Sequence, residues 1–228
     1  RDPRAVIASN YVKTDRRYPL EFLIRQWRKS ICYAILYTKI ISKFKNDSLL
    51  VKYEELILKP EQEIEKICDF LGIKFEKELL KPSNYKDGNN ELWKQNTSYA
   101  HGKNQFNTKS IDKWKDVLSD EILKFVEFTC KLEMNLLNYE LRFGEKEIEE
   151  VEYPKDDFST LAKWIKKYYP EKLINNKKWN QEIKKDEMIR NLHYKKGIIG
   201  KIDDLDTIEN YFIDKRYFSY IVNEGKNE

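Results

Sequence analysis

No apolar run approaches the roughly 20 residues needed to cross a bilayer, and the chain shows neither a signal peptide nor an initiating Met. The missing Met fits a fragment. Cysteine is sparse: Cys32, Cys68 and Cys130 are odd in number, widely spaced and set among apolar residues. That pattern reads as buried free thiols, not disulfides or metal ligands. It fits a reducing compartment, so the expected localisation is cytoplasmic. No charge of one sign dominates. The net charge is +4, and residues 144–228 carry 17 Lys+Arg against 18 Asp+Glu, so the positive excess lies before residue 144. A mild excess suits a small anionic ligand, and no nucleic-acid motif accompanies it. What the chain has is 14% aromatics and abundant Ile and Leu within 228 residues, enough to bury a real core despite a mean hydropathy of −0.78.

Helix signals punctuate the first 143 residues. Asp2 is a good N-cap and Pro3 a good first helical residue, so a helix is expected to begin there, with its positive dipole end turned to whatever Arg1 faces. Such a corner favours a phosphate. On this helix Ala5, Ser9 and Lys13 share a face. The bland alternative makes Arg1 and Arg4 solvated surface charges. Tyr18-Pro19 opens a long amphipathic helix carrying Leu20, Leu23, Ile24, Trp27, Ile31 and Ile35 inward. Ser48 to Tyr53 is expected to be a short strand covered on both faces of a parallel sheet. Pro60 starts a helix that Gly72 stops. Residues 81–109 read as a long polar loop, and a further helix runs from about Ser119 to Leu137, with Asn138 in the left-handed conformation.

Arg1-Asp2-Pro3-Arg4-Ala5, with Ser9 eight positions after Arg1, resembles the 3′-phosphate-binding segment of sulfotransferases that use 3′-phosphoadenosine 5′-phosphosulfate (PAPS), and its wording is similar to the tyrosylprotein branch. Tyr53-Glu54-Glu55-Leu56, Lys59-Pro60 with the helix ending at Gly72, and Ser98 followed by Lys113-Trp114 continue the likeness in the same order. The resemblance implies an α/β, P-loop-type fold: residues 1–143 form the C-terminal portion of the sulfotransferase domain around a central parallel sheet. Residues 144–228 form a small helical extension of unknown role. It implies that Arg1 and Ser9 hold the donor's 3′-phosphate, that Lys13 adds charge where the family carries an Arg, and that Tyr53 and Lys113 reach the nucleotide. Ser98 would donate to the transferring group. The general base and the loop for the 5′-phosphosulfate are expected upstream of Arg1, outside this chain, so the chain alone is expected to be inactive.

PAPS and its product PAP are then the expected small-molecule partners. The acceptor is a hydroxyl or amine on a small molecule, glycan or protein, and no metal or nucleic acid is expected. His101 could serve as a base, since imidazole titrates near neutral pH, but the family places its base elsewhere. Two rival readings stay open: a P-loop kinase-like nucleotide-binding protein, and a non-catalytic helical interaction module. Beyond Gly144, an acidic run from Glu145 to Glu152 marks a linker. Three helical stripes follow, the first ended by Pro170 and the second by Gly197. Their aromatics read as core and their lysines as solvated faces.

Overall fold

The computed structural model describes residues 1–14, 18–92, 106, 108–144, 151–154, 162–168, 170, 177–196 and 212–224. Helix α1 (Pro3–Thr14) begins where Asp2 caps it: the Asp2 carboxylate accepts the Arg4 backbone N–H at 2.8 Å. Ala5, Ile7, Ala8 and Tyr11 are buried, so α1 runs through the core. Pro19, at ψ 146°, turns the chain into α2 (Leu20–Ile35), which buries the apolar stripe the sequence marks out. That helix passes into a π-helical turn, Leu36–Ile40, closed by Ile41 N–H to the Leu36 carbonyl. The wider turn rotates the stripe, which leaves Ile41 only half-buried. Helix α3 (Ser42–Lys45) ends this arm.

The expected strand does not form. Leu49 to Lys52 is irregular, Lys52 is extended (φ −81°, ψ 129°), and Tyr53 already starts helix α4 (Tyr53–Leu58). A parallel strand satisfies its N–H and C=O groups only through neighbouring strands. Among the described residues the only β pairing is the isolated bridge between Lys86 and Leu92. The central parallel sheet is therefore not seen in the described part of the chain, which is helical. Helix α5 (Pro60–Leu71) begins at Pro60 and stops at Gly72, whose φ of 67° is the left-handed cap expected of it. Ile64 and Cys68 are buried while Leu71 is exposed. After two short 3₁₀ turns come α6 (Lys109–Asp112) and α7 (Trp114–Val117).

Helix α8 (Asp120–Leu136) is the central element. Ser119 caps it by accepting from Ile122 N–H, and Leu123, Val126, Cys130 and Met134 are inaccessible to solvent. Asn138, at φ 54°, ends it as expected, with Tyr139 N–H bonded back to the Met134 carbonyl at 2.8 Å. Helices α9 (Lys163–Tyr168), α10 (Lys177–Lys196) and α11 (Lys215–Glu224) complete the described structure. They do not stand apart. Ile165, Ile183, Phe212, Tyr217, Phe218, Ile221 and Val222 join the same buried cluster as α1, α2 and α8.

Ion pairs fasten these later helices to the earlier ones. Arg28 of α2 meets Glu187 of α10, and Arg190 of α10 meets the fully buried Glu133 of α8, which also accepts from the Tyr217 hydroxyl at 3.2 Å. All three cysteines are free and buried, as the sequence implies, and burial pushes the Cys32 thiol up to about 12. No helix among the described residues is long and apolar enough to cross a membrane.

Candidate donor-binding site

Arg1, Tyr53 and Ser110 come from three segments and meet at the start of α1. The Arg1 guanidinium lies 4.4 Å from the centre of the Tyr53 ring, and its terminal nitrogen donates to the Ser110 carbonyl at 3.1 Å. The Tyr53 hydroxyl and the Ser110 hydroxyl share a hydrogen bond of 2.8 Å. Trp27 fixes the other end of Arg1, its indole N–H donating to the Arg1 carbonyl at 2.9 Å. The guanidinium is thus clamped by a ring face and one carbonyl, yet its Nε is buried with no hydrogen-bond partner. A guanidinium carries five N–H donors, and a buried donor left unpaired is costly.

Arg4 is not a solvated surface charge. It is buried, with its guanidinium 4.2 Å from the Trp114 ring centre, and it bonds the Asp2 carboxylate at 2.6 Å and Glu127 at 2.6 Å. Glu127, fully buried on α8, also accepts the backbone N–H groups of Arg142 and Phe143 at 3.0 and 3.1 Å. Burial alone would lower the Arg4 pKa, but Asp2 and Glu127 outweigh it and hold the guanidinium above its ordinary value. Asp2 in turn donates its own N–H to Glu54 at 3.0 Å, and Glu54 accepts from the Tyr139 hydroxyl at 2.9 Å. Burial first, and the Glu54 carboxylate next, push the Tyr139 phenol well above its usual range. Glu54 therefore makes structural bonds at the turn. The Arg1–Asp2 peptide is held from both sides.

The remaining expected site residues divide. Ser9 is half-buried on α1, two turns beyond Arg1, and its hydroxyl has no hydrogen bond among the described residues. Lys13 lies on the same face of α1 by position. Lys113 joins α6 to α7, three residues after Ser110, which brings the start of that pair of helices against the start of α1. Ser98 and His101 lie outside the described residues. Sequence reasoning missed Trp27, Ser110 and Glu127 as supports of this corner. Trp27 appeared only as one member of an apolar stripe, and nothing local distinguishes its N–H from a core ring. Ser110 and Glu127 lie 109 and 123 residues from the arginines they hold. Among the described residues, no group of three His, Cys, Asp or Glu side chains could hold a metal ion.

Residues 1–138 match the family model described as the sulfotransferase domain. A putative protein-tyrosine sulfotransferase of Caenorhabditis briggsae is 27% identical over 151 residues, covering 61% of this chain and 50% of that protein. One of Caenorhabditis elegans is 30% identical over 112 residues, covering 49% of this chain and 39% of that protein. The chain thus spans half or less of the length of these curated relatives. No solved structure matches it. With well over half of its length matched by one family model, the chain belongs to the sulfotransferase family.

Proposed function

We propose that this chain carries the 3′-phosphoadenosine side of the donor site of a PAPS-dependent sulfotransferase, on a P-loop-type fold. One observation carries the reading: a half-buried arginine whose guanidinium is clamped by Tyr53 and Ser110, at the positive end of a 12-residue helix. Arg1 and the hydroxyl of Ser9 bind the 3′-phosphate, Lys13 adds a cation, and Tyr53 and Lys113 contact the nucleotide. Each charge-assisted contact is worth on the order of 1.5 to 3 kcal/mol, so the 3′-phosphate becomes a main determinant of affinity.

In the reaction the acceptor's oxygen or nitrogen forms the new bond to sulfur while the bond from sulfur to the bridging oxygen of PAPS breaks. PAP leaves with that electron pair, and the acceptor's proton passes to a base. Ser98 donates a hydrogen bond where charge builds on the bridging oxygen. The base and the 5′-phosphosulfate loop are assigned to residues outside this chain, so residues 1–228 alone do not turn over PAPS. Residues 1–143 serve the donor and 144–228 form an extension to that domain. No metal takes part, and the buried thiols support a cytoplasmic setting.

Calorimetry on the full-length protein tests the assignment. Adenosine 3′,5′-bisphosphate is expected to bind far more tightly than adenosine 5′-phosphate, and Arg1→Ala should weaken the bisphosphate by about 1.5 kcal/mol or more while leaving the monophosphate nearly unchanged. Equal affinities for the two nucleotides, or a uniform loss in the variant, remove Arg1 from a phosphate site.

A further inference from the structure

The outer face of α2 changes character toward its C-terminal end. Lys29, Tyr33 and Tyr37 follow one another at four-residue spacing and are exposed, while Ile31, Cys32, Ile35 and Leu36 are buried in the core. The π-helical turn then delivers the chain to α3, where every residue from Ser42 to Asp47 is exposed. Three rings meet across this corner. Tyr33 and Tyr37 stack at 6.1 Å with an interplanar angle of 19°, and Phe44 meets Tyr37 edge-on at 5.3 Å. They keep 40%, 41% and 37% of their surface in water. Lysines stand over the rings: the Lys29 ammonium lies 6.0 Å from the centre of Tyr33, and the Lys43 ammonium 5.6 Å from that of Phe44. From residue 29 to residue 47 the exposed charges are Lys29, Lys39, Lys43 and Lys45 against Asp47.

We propose that this corner is a docking surface for an anionic lipid bilayer, with Phe44 and the two tyrosines entering the headgroup layer and the lysines meeting the lipids' negative groups. Aromatic rings favour that depth, because the ring leaves water while a phenol hydroxyl stays at the wet edge. Lysine fits beside them. Its stem lies along apolar surface while the ammonium remains at the charged layer. Four lysines facing one aspartate set the sign of the membrane charge, and each lysine brought close to an anionic surface raises partitioning about fivefold. The packing of the rings favours a bilayer over a single-stranded nucleic acid, the other polyanion that basic and aromatic surfaces take. A base needs an open ring face on which to stack. Tyr33 has one face on Tyr37 and Lys29 over its ring, and Lys43 stands over Phe44. A fluid headgroup layer accommodates ring edges, which a base does not. An acidic peptide would meet the lysines, but it would gain little from Phe44, which stands in water between Lys43 and Lys45. None of these residues belongs to the donor assignment, so the two stand or fall separately.

Cosedimentation of the 228-residue chain with vesicles tests the surface, using phosphatidylcholine alone and phosphatidylcholine with about 30% phosphatidylserine. The chain should pellet with the mixed vesicles and stay in solution with the neutral ones. Lys43→Ala combined with Lys45→Ala should weaken binding about 25-fold, from fivefold per lysine. Phe44→Ala should weaken it roughly fivefold or more, and Phe44→Trp should restore it. Melting temperatures are read alongside; both lysines are exposed, so their variant carries the test if Phe44→Ala is less stable. Failure to bind the mixed vesicles, equal binding to the neutral ones, or binding that survives the lysine substitutions would overturn the proposal. So would a lysine-dependent adsorption that a well-folded Phe44→Ala leaves unchanged, since that is general attraction without entry of the rings. Oligothymidylate binding that falls in Phe44→Ala would assign the rings to bases, and polyglutamate binding without vesicle binding would assign the lysines to an acidic protein; either result also overturns it.

Discussion

Replacing Glu127 by Ala probes what holds the Arg1–Asp2 corner in place. Glu127 is fully buried and accepts from Arg4 and from two backbone N–H groups, while the Arg4 side chain is only 6% exposed. The substitution leaves a buried guanidinium with Asp2 as its one carboxylate partner. Breaking a buried ion pair from one side costs about 3 to 5 kcal/mol. Asp2 still forms a bidentate bond to Arg4, through Nε and a terminal nitrogen, which puts the expected loss near the lower figure. The Arg142 and Phe143 N–H groups belong to residues that are exposed and half-buried, so water can reach them and they add little. A loss of about 3 kcal/mol at a urea m-value of roughly 2 kcal/mol/M lowers the unfolding midpoint by about 1.5 M. Glu127→Gln keeps an accepting oxygen and should lose roughly half as much. Urea unfolding at neutral pH, followed by tryptophan fluorescence, reads both. The same Ala variant should bind adenosine 3′,5′-bisphosphate more weakly in the full-length protein, because Arg4 anchors Asp2, whose peptide positions Arg1. A stability change below about 1 kcal/mol for Glu127→Ala would show that Asp2 alone compensates Arg4 and would refute this account of the corner.

Trp27→Phe keeps a ring in the core but removes the N–H that holds the Arg1 carbonyl; it should weaken bisphosphate binding several-fold in calorimetry with a smaller effect on adenosine 5′-phosphate, and equal losses would deny Trp27 a positioning role. Ser98→Ala in the full-length enzyme should slow turnover roughly 10- to 1000-fold with little change in donor affinity; a larger fall for His101→Ala, with donor binding intact, would transfer the chemical role to the imidazole. Burial raises the Glu21 carboxyl above its ordinary range against the opposing pull of Arg25 and Arg28. The folded state therefore binds this proton more tightly than the unfolded chain, and the associated stability is full below the usual carboxylate range and lost as pH rises through the raised value. Glu21→Gln should accordingly melt at a higher temperature than the wild type at pH 7 and show no such gain at pH 4; the reverse order would refute the sign.

Local chemistry wrote the helix boundaries into the sequence. Asp2-Pro3, Pro19, Pro60, Gly72, Ser119 and Asn138 each act through atoms within a few residues, so caps and stops could be read without the fold and are found at those positions. The start of α1 at Asp2-Pro3 was legible for the same reason, since cap and first turn are adjacent in the chain. The segment from Leu49 to Val51 was misread because a strand is defined by partners elsewhere in space, and an apolar run is equally content as an irregular chain packed on helices. The bland reading of the sequence made Arg4 a solvated surface charge. Only the fold brings Glu127, from a helix more than a hundred residues away, close enough to make Arg4 a buried strut instead. The docking of α9 to α11 onto α2 and α8 belongs to the same class. Apolar stripes and charged residues state that partners are needed. Many pairings would satisfy them, and which one forms is decided by the tertiary structure, where burial and ion pairing must be met for every element at once.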